Sequence, residues 1–95
     1  MSFLKLLKTP PAREIGAQEL RINRIKNSLL NKGEVEQLKK MHSTISKSAH
    51  PSVWVNGFNA LSEIKDAYAG RNEQMASASK SLLKKLRSDY LKKFG

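Results

Sequence analysis

Apolar residues recur along this chain at the three- and four-residue spacing of amphipathic helices. Four stretches show the pattern, and each keeps its apolar residues on one helical face. The four stripes consist of Ile15, Ile22, Ile25 and Leu29; of Val35, Leu38, Met41, His42 and Ile45; of Trp54, Phe58, Leu61, Ile64 and Tyr68; and of Met75, Ser79, Leu82, Leu83, Leu86, Tyr90 and Phe94. Gln18 interrupts the first stripe with a polar side chain. The strand-like run Val53-Trp54-Val55 is short and falls inside the third stretch, so it is interpreted as helix.

Turn-forming residues divide the four stretches. Thr9-Pro10-Pro11 predicts a helix start with Thr9 as the N-cap. Asn31-Lys32-Gly33 predicts a helix end at which Gly33 takes the left-handed conformation. His50-Pro51 predicts that a helix ends near Ser48, because a residue before proline avoids the helical region, and Ser52 then caps the next helix.

These signals, with Gly70 as a further stop, predict an all-α fold. The helices are expected near residues 11–31, 34–48, 52–69 and 72–93. We therefore expect a small bundle of about four helices with short connections. Residues 10–95 would form a single helical domain behind an N-terminal arm, residues 1–9.

The stripes also predict a common core. Its expected members include Trp54, Phe58, Leu61, Leu82 and Leu86. Aromatic residues on an apolar stripe more often fill a core than stack on nucleic-acid bases. Leu20, Leu30 and Leu91 lie off the stripes and are either single exposed side chains or the rim of a partner contact, so a homodimer stays open.

Charge narrows the class of partner. The chain has 95 residues, with 18 Lys and Arg against 8 Asp and Glu, a net charge of +10. Residues 1–32 and 70–95 each contain seven basic and two acidic residues, whereas residues 33–69 contain four of each. The excess therefore lies in the first and last thirds. Such clustering favours a functional basic surface over a merely solvated one.

The first and fourth predicted helices carry this charge on faces opposite their apolar stripes. The candidate phosphate-binding residues are Arg13, Arg21, Arg24, Lys26, Lys80, Lys84, Lys85, Arg87, Lys92 and Lys93. Serines interleave with the lysines of the fourth helix and suit phosphate without adding bulk. If these two helices are neighbours, their outer faces form one basic surface. Lys39, Lys40 and Lys47 are expected to contribute much less, because their third of the chain is electrically neutral.

The leading hypothesis is thus a small basic module that binds nucleic-acid phosphates, DNA or RNA, mainly independently of sequence. A helix-turn-helix is disfavoured, since Glu34 and Glu36 begin the helix that would read bases. The alternative is a protein-interaction module, such as an adaptor, assembly factor or inhibitor, that docks on an acidic protein. Composition of this kind is common among phage and mobile-element proteins. A third hypothesis places Phe3, Leu4, Leu6 and Leu7 on a membrane surface, with packing on the domain favoured instead.

Catalytic and metal-binding motifs are lacking in the sequence. The absence of Cys excludes disulfides, thiolate zinc sites, iron–sulfur clusters and a thiol nucleophile. The two histidines do not make a zinc site: His42 is expected at the core boundary with a hydrogen bond, and His50 exposed in a turn. No phosphate-binding loop, dinucleotide fingerprint or nucleophile elbow occurs. The expectation is a protein without enzymatic activity or cofactor.

The N-terminus and the hydropathy pattern predict where the chain resides. Lys5 and Lys8 interrupt the apolar run that a secretory signal requires, and no stretch is apolar enough for a membrane span. Together with the lack of Cys, this predicts an intracellular, cytoplasmic protein.

Overall fold

The computed structural model describes residues 11–95, which form four helices and no strand. They are α1 (Pro11–Asn31), α2 (Val35–Ser46), α3 (Pro51–Tyr68) and α4 (Glu73–Phe94). The predicted all-α bundle with short connections is confirmed. The predicted arm, residues 1–9, and the N-cap Thr9 lie outside the described residues.

The helices occupy the four corners of the bundle in the order α1, α2, α4, α3. Each is packed against its two neighbours, and α2 also touches α3 across the diagonal. Within residues 11–95, no Cα atom of α1 lies within 8 Å of one in α4. The first and last helices are therefore diagonal partners. Their outer faces therefore do not adjoin directly, as they would if the two helices were neighbours in the bundle.

The core contains most of the predicted apolar stripes. Its fully buried large side chains are Ile22, Leu29, Leu38, Met41, Ile45, Leu61, Ile64, Met75 and Leu86. Trp54 is also buried, so three of the five expected core members are confirmed. The expectation for Phe58 is wrong, because it lies at the outer edge of α3 and is 37% exposed. Leu82 is only half-buried, and its neighbour Leu83 takes the inward position on α4.

A buried serine joins three helices at one end of the bundle. The Ser48 hydroxyl donates to Gln18 Oε1 of α1 at 2.7 Å and accepts the His50 N–H at 3.1 Å. The Trp54 indole N–H of α3 donates to the Ser48 carbonyl oxygen at 2.9 Å. Gln18, the polar interruption in the first stripe, is thus the partner of a group that burial would otherwise leave unsatisfied.

A second polar contact closes the opposite end. The Tyr68 hydroxyl donates to the Leu29 carbonyl oxygen, one of the carbonyls that the last turn of α1 leaves without a helical partner. Gly33 lies against this contact, because a Cβ there would come 2.9 Å from Tyr68 Cζ and 3.0 Å from Met75 Cγ. The prediction of a left-handed Gly33 is wrong, since only Gly70 has a positive φ among the described glycines, at 78°. Close packing, not backbone handedness, requires Gly33.

The helix ends follow the proline and asparagine signals with small shifts. His50 is extended, as the following proline predicts, and α3 begins at Pro51 with His50 as its N-cap. Ser52 therefore lies inside the helix and not at its cap. The second helix ends at Ser46, two residues before the predicted Ser48, because the chain turns there to bury that serine. Asn72 caps α4 by accepting the Met75 N–H at 3.2 Å.

Shortening two leucines to alanine should distinguish a position in the core from a position at its edge. Leu61 is fully buried, so Leu61→Ala is expected to lower the free energy of unfolding by about 2–5 kcal/mol. Leu82→Ala removes less area from contact and is expected to cost about 1 kcal/mol. Urea denaturation followed by circular dichroism measures both. Equal losses would contradict the packing described for α4.

Two helical glycines should respond to alanine in opposite directions. Gly57 faces Ile45, whose side chain a Cβ would overlap, so Gly57→Ala is expected to destabilise the protein by about 1–3 kcal/mol. Gly16 has no atom within 4 Å of an added Cβ, so Gly16→Ala should stabilise α1 by about 1 kcal/mol. Thermal unfolding of the two variants checks the pair. A stabilising Gly57→Ala would disprove the close approach of α2 and α3.

Candidate functional site

The basic residues of α1 divide between two sides of the helix. Arg13, Arg21 and Arg24 are exposed on the face opposite the buried Ile22. Lys26 turns toward α3 instead, where its Nζ lies 2.9 Å from Glu63 Oε2. Lys26 therefore belongs to an ion pair at the α1–α3 boundary and not to the face formed by the three arginines.

The six predicted cations of α4 are all exposed. They are Lys80, Lys84, Lys85, Arg87, Lys92 and Lys93. Helical periodicity puts Lys80, Lys84 and Arg87 in a row along the α3 side. Lys93 lies toward α2, where its Nζ is 3.5 Å from the Ser46 carbonyl oxygen and 5.6 Å from the centre of the Trp54 ring. The α4 cations thus flank the helix on both sides of its outer serines.

Helix α2 lies between the two basic helices and carries cations of its own. Arg21 of α1 and Lys47 at the end of α2 line one cleft of 290 Å³, with Ser43 and Thr44 between them. Lys40 lies one turn before Thr44 on the same edge, and the Thr44 hydroxyl donates to its carbonyl oxygen at 2.9 Å. The basic surface accordingly runs from α1 across α2 to α4, a band that we call the basic face.

Charge counted along the chain places the lysines of α2 in an electrically neutral third, residues 33–69. That third also includes Glu63, Lys65 and Asp66, which lie on α3 and together carry a net charge of −1. The fold separates these carboxylates from α2, since they lie on α3 at the opposite corner. Within 33–47 the charged side chains are Lys39, Lys40 and Lys47 against Glu34 and Glu36, a net charge of +1. Charge summed by helix is therefore slightly positive on α2.

The α3 corner has the opposite character. A cleft of 460 Å³ between α1 and α3 is lined by amides and carboxylates, among them Asn56, Asn59, Glu63 and Asp66. Glu63 pairs with Lys26, and Asp66 Oδ1 lies 3.9 Å from Lys65 Nζ. Three corners of the bundle therefore carry a net positive charge and one is neutral to acidic, so the charge of the molecule is distributed asymmetrically.

The two histidines occupy different surroundings from those expected. His42 is half-buried at the boundary between α2 and α4, as predicted, but its Nε2 has no hydrogen-bond partner among residues 11–95. Burial and the nearby Lys85 lower the pKa of His42, and Asp89 opposes them. His50 is half-buried and not exposed, and its Nε2 lies 3.2 Å from Glu14 Oε2.

Metal and membrane sites do not arise from the part of the chain that the structure describes. No group of three or more His, Asp or Glu side chains in it converges on a common point. None of its four helices combines the length and apolar content needed to cross a bilayer. The proposed membrane contact of Phe3 to Leu7 falls outside the described residues.

Lowering the pH should destabilise the folded protein through protonation of His42. Its folded-state pKa lies below the ordinary value, so the unfolded chain binds the proton more readily, and stability falls as pH drops below about 6.5 toward the folded pKa. The expected measurement is a wild-type midpoint of urea unfolding that declines between pH 7.5 and 5. His42→Gln should lose less over that range, because the other titrating groups stay the same. An identical decline in both proteins would contradict the assignment.

Comparison with known proteins adds neither a family nor a function to this geometry. No protein-family model, curated protein or solved structure matches the chain. The chemistry of the molecule must therefore be inferred from where its charges and its exposed apolar side chains lie.

Proposed function

We propose that this protein binds nucleic acid through backbone phosphates, using the basic face of α1, α2 and α4. The observation that carries the proposal is the position of α2 between α1 and α4, since it makes three cationic helices contiguous. The residues proposed to contact phosphate are Arg13, Arg21, Arg24, Lys39, Lys40, Lys47, Lys80, Lys84, Lys85, Arg87, Lys92 and Lys93.

Most cations of this face are free to meet an external anion, while Lys93 also donates to the Ser46 carbonyl oxygen at 3.5 Å. The salt bridges among residues 11–95 engage Lys26, Lys39 and Lys65, and His50 Nε2 lies 3.2 Å from Glu14 Oε2. Of these, only Lys39 belongs to the basic face, and its Nζ lies 3.7 Å from Glu36 Oε1 in an exposed pair that is readily exchanged for phosphate. The remaining members of the face form no salt bridge with a described residue, so binding does not first break an internal pair.

Contact with phosphates, and not with base edges, fits the character of the face. Its side chains are Lys and Arg with interspersed Ser and Thr, which recognise phosphate oxygens without reading sequence. The helix that a helix-turn-helix would insert into the major groove begins with exposed Glu34 and Glu36. Carboxylates at the reading end of such a helix repel the phosphates that flank the groove. Sequence-independent binding follows.

The dimensions permit several simultaneous contacts. Helix α4 contains 22 residues and is about 33 Å long. Duplex DNA carries one charge per about 1.7 Å of its axis, and each neutralised phosphate contributes about −0.9 to the slope of log K against log salt concentration. Five to seven contacts would give a slope of roughly −4 to −6.

Three charge-matched triple variants test the proposal. Lys84→Gln/Lys85→Gln/Lys92→Gln removes three charges from α4, and Lys39→Gln/Lys40→Gln/Lys47→Gln removes three from α2. Each is expected to reduce the magnitude of the salt slope by about 2.7 on a random-sequence duplex, as measured by fluorescence anisotropy. The control Lys26→Gln/Lys65→Gln/Arg71→Gln removes three charges outside the basic face and should change the slope much less.

The same titrations can also contradict the proposal. Equal losses in all three variants would mean that net charge alone attracts the nucleic acid. A much larger loss in the α2 variant than in the α4 variant would identify α2 as a reading helix. If neither duplex nor single strand binds more tightly than about 10⁻⁴ M at physiological salt, the proposal fails. An acidic protein would then be the leading candidate for the partner of the basic face. An exposed groove beside α4 independently favours a protein ligand.

A further inference from the structure

An apolar groove opens between the N-terminal half of α3 and the C-terminal half of α4. Its cavity of 310 Å³ is lined by Trp54, Val55, Phe58, Arg87, Tyr90 and Leu91, among others. Val55, Phe58 and Leu91 are 52%, 37% and 62% exposed, although the core elsewhere buries its large apolar side chains well. Three exposed apolar side chains around one concavity form a contiguous patch, which is typical of an interaction site and not of scattered surface residues.

The floor of the groove is rigid and aromatic. Trp54 packs edge-on against Tyr90 and Phe94, with ring centres 6.2 Å and 5.7 Å apart. The Trp54 indole is held by its hydrogen bond to the Ser48 carbonyl oxygen. Because these rings are fixed by packing on both helices, the groove is formed before any ligand arrives, and little ordering entropy is lost on binding.

The charged rim of the groove is positive. Arg87 lines the cavity, and Lys84 and Lys80 continue its row along α4 at helical spacing. The α4 carboxylates lie elsewhere: Glu73 accepts the Gly70 N–H at the far end of the helix, and Asp89 acts on His42 at the α2 side. The complementary ligand is therefore apolar on one side and acidic beside it.

Charge also decides between the candidate occupants. A second copy of the chain would bring Arg87 and Lys84 toward like charges on a protein of net charge +10. The first ten residues of this chain contain Lys5 and Lys8 and no carboxylate, so they do not complement the rim. An anionic bilayer suits a protruding apolar face, whereas this one is concave.

We propose that the groove binds an amphipathic helix of a partner protein, with apolar anchors at i, i+3 or i+4, and i+7, and with Asp or Glu beside them. The anchors would pack over Phe58 and between Val55 and Leu91, and the carboxylates would pair with Arg87 and Lys84. This site is separate from the proposed phosphate contacts on α1 and α2, but it shares Lys84 and Arg87 with those on α4.

A peptide selection tests the proposal directly, because random sequences are enriched only by their affinity for the protein. A display library of 16-residue peptides is selected on the full chain and counter-selected on Val55→Ser/Leu91→Ser. Both replaced side chains are exposed, so the variant should fold, and circular dichroism verifies this. The matched control Leu20→Ser/Leu30→Ser removes two exposed leucines from α1, far from the groove. Emission of Trp54, the single tryptophan, reports occupancy.

The expected peptides carry the apolar spacing together with Asp or Glu. They should bind Val55→Ser/Leu91→Ser at least about 10-fold more weakly and the Leu20→Ser/Leu30→Ser control within about twofold of wild type. Arg87→Gln should weaken binding and reduce its dependence on salt.

Four results would overturn the proposal. The first is a selection that yields no peptide sensitive to Val55→Ser/Leu91→Ser, and the second is a set of peptides without acidic enrichment. The third is loss of dimerisation in sedimentation velocity on replacing Val55 and Leu91, which would make the groove an interface between copies. The fourth is loss of duplex affinity, or of sedimentation with anionic vesicles, in the same variant, which would assign the groove to nucleic acid or membrane.

Discussion

The buried Ser48 hydroxyl is the polar group around which the helices of this bundle are arranged. It has left water, so its hydrogen bonds must be supplied by the protein, and they come from the His50 N–H in the α2–α3 turn and from Gln18 of α1. Gln18 Oε1 fixes the height of α1 against the turn, and Trp54 ties the first turns of α3 to the same residue. Removing either partner would leave a buried polar atom unsatisfied, which costs more than the net gain of the bond.

The position of the basic charge is a consequence of this arrangement. With α1 held against the α2–α3 turn and with Tyr68 holding the end of α1 at the opposite pole, α1 packs between α2 and α3. Helix α4 is then left to cover the other side of α2 and α3, diagonal to α1. Cations at the two ends of the sequence can form a common surface only across α2, whose own lysines fill the gap.

The local features of the fold were predictable from sequence, whereas the relations between helices were not. Periodicity and turn residues identify four helices because both act within a few residues. Gly33 shows the limit: the same glycine signal fits a left-handed cap and a site of close packing, and only the approach of Tyr68 decides between them. Phe58 fits its stripe by spacing, yet the stripe spans a wider arc than two neighbouring helices can cover.

The candidate site divides in the same way. The exposure of Lys84 follows from its place opposite an apolar stripe, whereas the ion pair of Lys26 depends on Glu63, which is distant in the chain. The groove likewise could not be predicted from the sequence, since its two walls meet only when α3 and α4 pack side by side.

Helix α4 takes part in both proposed activities, and one of its two rows of cations belongs to both. The row of Lys80, Lys84 and Arg87 runs beside the apolar groove, whereas Lys85 and Lys93 lie toward α2 and the rest of the basic face. An acidic helix in the groove would neutralise the first row and leave the second, with the cations of α1 and α2, facing outward. Because attraction to phosphate depends on the number of free cations, such a partner would weaken nucleic-acid binding without abolishing it. The bundle would thereby couple two partners through shared charge, with no change in its own conformation.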